Sequence, residues 1–161
     1  MATYIRDIVF ENPDVVGEKP GHGGKVLTKD MVVEVKLIYQ TPMGDGGADF
    51  VDSEEHRIII SKGLSVKTHP FPKWLRGFIR FAGVNLDWPM TVLHYAMYEE
   101  GGLDAYTRDQ IDRMYLNHVL KQVKNPVKRG FLDVLMGLFI GSNLGWKWNS
   151  EETKVARIEP I

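Results

Sequence analysis

MVVEVKLIY, Met31 to Tyr39, sets Val33, Val35 and Leu37 against Glu34 and Lys36. Residues two apart share a face only in an extended chain, so this partial alternation predicts a half-buried β-strand. On its N-terminal side lies TYIRDIVFE (Thr3–Glu11) and beyond it HRIIIS (His56–Ser61), both rich in β-branched residues and bounded by turn-formers. Between them run PGHGG (Pro20–Gly24) and PMGDGGAD (Pro42–Asp49), glycine-rich loops in which positive φ costs little.

After Gly63 the chain changes character. KWLRGFIRF (Lys73–Phe81) predicts a short helix, and three clearer helices follow. The first begins near Asp87, a good N-cap, with Pro89 in its first turn, and stops at Gly101-Gly102. The second opens at Thr107 with Gln110 three residues on, the spacing of a capping box, and carries a core stripe of Ile111, Tyr115 and Val119. The third starts at Asn125-Pro126 and holds FLDVLMGLFIG (Phe131–Gly141), apolar almost all round, which predicts a central position. Strands first and helices second predict an α+β fold: N-terminal antiparallel strands, then a C-terminal half of three to four helices.

A chain of 161 residues fits one domain. Residues 1–30 read as an N-terminal extension with a strand, 31–148 as the core, and 149–161 as a polar tail, loosely held or reaching a partner. A formal charge of −1 gives no global attraction to nucleic acid or to anionic membrane. Without cysteine there is no disulfide framework, thiol nucleophile or thiolate metal site. FLDVLMGLFIG is too short for a bilayer span of about 20 apolar residues, and MATYIRDIVFENPD lacks the basic start and apolar core of a secretory signal. No transmembrane segment and no signal-directed export are expected.

Several stretches invite a functional reading. In VLHYAMY (Val92–Tyr98), Met90, Met97 and Tyr98 surround His94 at helical spacing. Asp112 lies on the edge of the apolar face of the next helix, after a short connection. Helices so joined pack antiparallel, which brings Asp112 to His94: an orienting carboxylate beside an imidazole, as in general-base sites. The plain alternative is a buried hydrogen-bonded pair without chemistry. Lys73, Arg76 and Arg80 alternate with Trp74, Phe78 and Phe81, a pattern found on membrane surfaces and nucleic acid. The shortness of the helix and the neutral total charge favour instead a core-packed helix with a solvated basic edge.

GHGGKV lacks the leading glycine and the hydroxyl of a phosphate loop, and the acids from Asp45 to Glu55 lack the calcium-loop alternation. The glycines Gly137 and Gly141 form a GxxxG that favours close approach of a neighbouring element. Trp146 and Trp148 in GWKW predict a lid over the core.

The order IIISKGLSVKTHPFPKWL, VLHYAMY, RDQID, FIGSNLGWKW resembles a family of small phage and prophage proteins, domain-of-unknown-function family 1353. Its members read approximately GFxTDxASIPR, HDxxY, RxxAD and FGxxxW, and the likeness spans Met31 to Trp148. Thr68 and Pro72 match the first motif, His94 and Tyr98 the second, Arg108 and Asp112 the third. His69 and Tyr95 stand where the family carries acids. HDxxY with a second-helix aspartate is also similar, at motif level, to secreted phospholipases A2, in which the histidine activates water and the adjacent aspartate binds calcium. Tyr95 removes that ligand; His69, His94 and Asp112 are a weak candidate set for a transition metal, and no cofactor is expected.

The resemblance implies a phage-encoded accessory or virion-associated (tail- or neck-type) binding or structural module with a degenerate His-Asp site. Its partners would be other phage or host proteins, and its location the virion or the host cytoplasm. The alternative is a small His/Asp-dependent hydrolase, phospholipase- or esterase-like, used in lysis or host takeover. In it His94 is the base, Asp112 its orienter, and Thr68, Tyr98 and Arg108 support them.

Overall fold

The alternation of Met31 to Lys36 is realised in the fold: Met31, Val33 and Val35 are buried, while Val32, Glu34 and Lys36, which alternate with them, are half-buried. The computed structural model describes residues 2–18, 24–41, 50–67, 71–141, 148 and 154–160. They form strands β1 (Ala2–Phe10), β2 (Val16–Glu18), β3 (Lys25–Leu27), β4 (Met31–Thr41), β5 (Phe50–Ile60), β6 (Ser65–Val66) and β7 (Ala156–Pro160). The helices are α1 (Lys73–Phe81), α2 (Trp88–Glu99), α3 (Arg108–Leu120) and α4 (Pro126–Gly141). This is an α+β fold with antiparallel sheets in the N-terminal half and four helices in the C-terminal half.

The larger sheet has the order β1-β4-β5-β7, and the smaller β2-β3-β6. All their pairings are antiparallel. β7 comes from the stretch expected to be a loose polar tail: Ala156 and Ile158 pair with Ile60 and Ile58, and Val155 accepts from the Ser61 amide at 2.8 Å. The edge of β5 offers unpaired backbone groups, and a short alternating segment suffices to satisfy them. Glu100, a buried glutamate at the end of α2, fixes the entry to β7 by accepting from the Val155 amide at 2.8 Å. Gly24, just before β3, lies close against the end of β6 with φ +84°; a Cβ there would lie 2.5 Å from the Val66 carbonyl oxygen, so only glycine fits.

The helix ends follow the local signals. Asp87 accepts from the Met90 amide at 2.8 Å, Thr107 and Gln110 form the reciprocal capping box, and Asn125 accepts from the Val127 amide at 2.9 Å. Gly102 (φ +77°) and Leu103 (φ +56°) turn the chain left-handed between α2 and α3.

Two packing expectations are corrected. α4 is peripheral, and α2, buried on nearly every side from Met90 to Tyr98, is the central helix. The apolar residues of α4 fall on two stripes. Leu132, Met136 and Phe139 enter the core, whereas Val127, Phe131, Val134 and Leu138 face outward. Gly137 has open space around it, so it does not mediate the close approach expected of the GxxxG. On α1, Leu75 and Ile79 enter the core, and the aromatic residues do not. The lid is found for Trp148, whose ring stands edge-on to Tyr98 at 5.1 Å; Trp146 lies outside the described residues.

The orientation of α4 is checked by two truncations followed by urea unfolding. Met136→Ala, at a fully buried position, should cost about 2–4 kcal/mol. Leu138→Ala, two residues away and 69% exposed, should change stability by less than about 0.5 kcal/mol.

Candidate functional site

The candidate site is built by α2 and α3. Four side-chain contacts run along their seam: Asp87 with His118 (2.6 Å), Thr91 with Tyr115 (2.8 Å), His94 with Asp112 (3.0 Å) and Tyr98 with Arg108 (3.3 Å). Numbers rise along one helix as they fall along the other, so the helices are antiparallel. On each, the contacts come every three or four residues, the spacing that keeps side chains on one helix face.

At the third rung Asp112 Oδ1 accepts from His94 Nε2 and from the Tyr98 hydroxyl, in a short hydrogen bond. Arg108 Nε stands 3.8 Å from Asp112 Oδ2 and donates to the Tyr98 hydroxyl. The side chains of His94 and Asp112 are each about 6% exposed. Burial lowers the His94 pKa below its ordinary 6.5, outweighing the opposing pull of Asp112. The imidazole is therefore neutral near pH 7, and since a carboxylate only accepts, its hydrogen sits on Nε2. The contact is a hydrogen bond between a neutral ring and a carboxylate rather than an ion pair. Burial, reinforced by Asp112, raises the Tyr98 pKa, which keeps its hydroxyl a donor. Tyr98 and Tyr115 pack against the imidazole with ring centres 4.7 and 4.8 Å away, and the Arg108 guanidinium carbon lies 5.7 Å from the Tyr98 ring centre.

His94, Tyr98, Arg108 and Asp112 are thus brought together. Thr68 and His69, the latter the third member of the weak metal set, lie outside the described residues. Among the described residues no three His, Cys, Asp or Glu side chains gather in a way that could hold a metal ion. Three partners escape sequence reasoning: the His118 contact of Asp87, the Thr91–Tyr115 bond and the buried Glu100. A signal for the first two is present. Once His94 and Asp112 are paired in an antiparallel seam, steps of three and four residues place Thr91 opposite Tyr115 and Asp87 opposite His118. Nothing local marks Glu100, whose partner is 55 residues away.

No family model, curated protein or solved structure matches the chain. The likeness to the phage family therefore stands on motif order alone.

The buried imidazole makes stability depend on pH. As pH falls past the ordinary value of 6.5, the unfolded chain takes up a proton at His94 that the folded chain refuses. The contribution is fully present above that value and is lost as pH falls toward the lowered folded value. Urea midpoints should drop between about pH 7.5 and pH 5.5, and His94→Gln should flatten that slope. Equal slopes in the two proteins would place His94 in contact with solvent.

Proposed function

We propose that the chain is a non-catalytic binding or structural module, of the phage-encoded accessory or virion-associated kind that its motif order implies. In it His94 and Asp112 hold two helices in register rather than act on a substrate. The observation that carries this is burial: both side chains are about 6% exposed. A general base must touch the proton it removes, directly or through one water. With the hydrogen on Nε2 held by Asp112, the nitrogen left to act as a base is Nδ1, and it is itself buried.

Two features support the same reading. Tyr98 and Arg108 direct their polar atoms to Asp112 and to each other. Tyr95, where the resembling family has an acid, is a half-buried tyrosine whose hydroxyl is pushed up in pKa by burial and by Glu99. The hydrolase alternative uses the same groups but needs a route for water and substrate to His94.

The deciding assay is turnover of chromogenic carboxylate esters and of phospholipid micelles by the wild-type chain and by His94→Gln. Both should hydrolyse them at the same background rate. Turnover by the wild-type chain that vanishes in a folded His94→Gln variant would establish the hydrolase instead. In the same variants, Asp112→Ala should cost about 2–4 kcal/mol, because it strips the acceptor from two buried donors.

A further inference from the structure

Apart from Val9, every exposed large apolar side chain among the described residues lies on α1 or α4. α1 contributes Trp74, Phe78 and Phe81, the last 71% exposed. α4 adds Val127, Phe131, Val134 and Leu138 at spacings of four, three and four residues, a single stripe along the helix. The two sets are continuous, for Phe78 and Phe131 meet edge to face with ring centres 5.7 Å apart.

Beside the apolar strip α1 turns a second face outward. Lys73, Arg76 and Arg80 line a cleft of about 540 Å3 floored by Ile79, Val84 and Trp88, and no acid lines it. The exposed ends of Lys73 and Arg80 present N–H donors to an anion in this cleft. Gly77 separates the two faces with open space around it. Lys128 extends the positive rim, its Nζ 4.4 Å from the Phe81 ring centre. Against these cations the two helices carry one acid, Asp133.

We propose that α1 and the outer stripe of α4 form a surface that lies on an anionic lipid bilayer, aromatic and aliphatic side chains at the acyl boundary and a lipid phosphate in the basic cleft. Tryptophan and phenylalanine favour that boundary, and lysine and arginine flanking them reach the headgroups. Charge selects this occupant over a second copy of the chain. A two-fold contact through the same face would set Lys73, Arg76, Arg80 and Lys128 of both copies along one seam with little acid to meet them. No helix among the described residues is long and apolar enough to cross a membrane, so the contact is with the surface. The proposal rests on the binding-module reading above and fails separately from it: vesicle binding does not involve His94, and the ester assay does not involve α1 or α4.

The test is flotation of the full chain with phosphatidylcholine vesicles and with vesicles that also contain phosphatidylglycerol, at low and high salt. Binding is expected to the anionic vesicles, weakening as salt rises. Phe81→Ser with Leu138→Ser, both outside the core, should leave the circular dichroism spectrum unchanged and weaken binding about tenfold or more. Arg76→Gln with Arg80→Gln should do the same on anionic vesicles. Failure to bind them, or equal binding by the apolar double variant, overturns the proposal. Self-association in light scattering that this variant abolishes would also overturn it and assign the face to a second copy. Equal affinity for soluble glycerol phosphate and for vesicles would make the cleft a soluble-anion site.

Discussion

The seam between α2 and α3 is the constraint on which the rest of the fold depends. Asp112 places a carboxylate where water scarcely reaches, and such a group is tolerated only when donors surround it. His94 and Tyr98 supply them from α2, and each can do so only if the two helices sit in one register; the Arg108 guanidinium stands nearby on the same helix as Asp112. A shift of one turn would part Asp112 from His94 and Thr91 from Tyr115. The hydrophobic residues beside the rungs, Leu93 and Met97 on α2 and Ile111 and Val119 on α3, provide most of the favourable burial. They tolerate slippage far better than the polar rungs do, so burial drives the association and the polar contacts select its alignment.

From this seam the core extends both ways. α2 is enclosed because it packs against α3 and shares one apolar cluster with Val33 and Val35 of β4 and Ile58 and Ile60 of β5. Its last residue region then ties in β7 through Glu100, and the left-handed turn at Gly102-Leu103 leaves room for the Trp148 ring, which lies 3.2 Å from where a Cβ on Gly102 would be. His94, Tyr98 and Asp112, which look chemical in the sequence, are therefore interior. The outward-facing chemistry lies across the molecule's α1 and α4 surfaces, where cations and large apolar side chains are set beside one another.

What could be read from the sequence is what has a local cause. The alternation of β4, the Asp87 cap of α2 and the Thr107–Gln110 box of α3 each arise within a few residues, and the helix or strand follows. His94 and Asp112 were legible as a pair because the short connection between their helices leaves little choice of packing. The position of α4 was not. A helix with apolar residues on two stripes satisfies a buried and a half-exposed placement equally, and only the surfaces supplied by other elements decide. Nor does ARIEP mark itself as a strand; Ala156 and Ile158 acquire that role from the open edge of β5. The Glu100 contact with Val155 is likewise invisible until the sheet has formed.

The most direct measurement of the central claim is the nitrogen NMR spectrum of the His94 ring in the folded chain, followed as pH is lowered. A ring held neutral between buried partners, donating through Nε2 to Asp112, predicts a fixed Nε2–H pattern that persists below the ordinary imidazole value of 6.5. Titration of His94 at that ordinary value, with both nitrogens shifting together as in a solvated ring, would contradict the account.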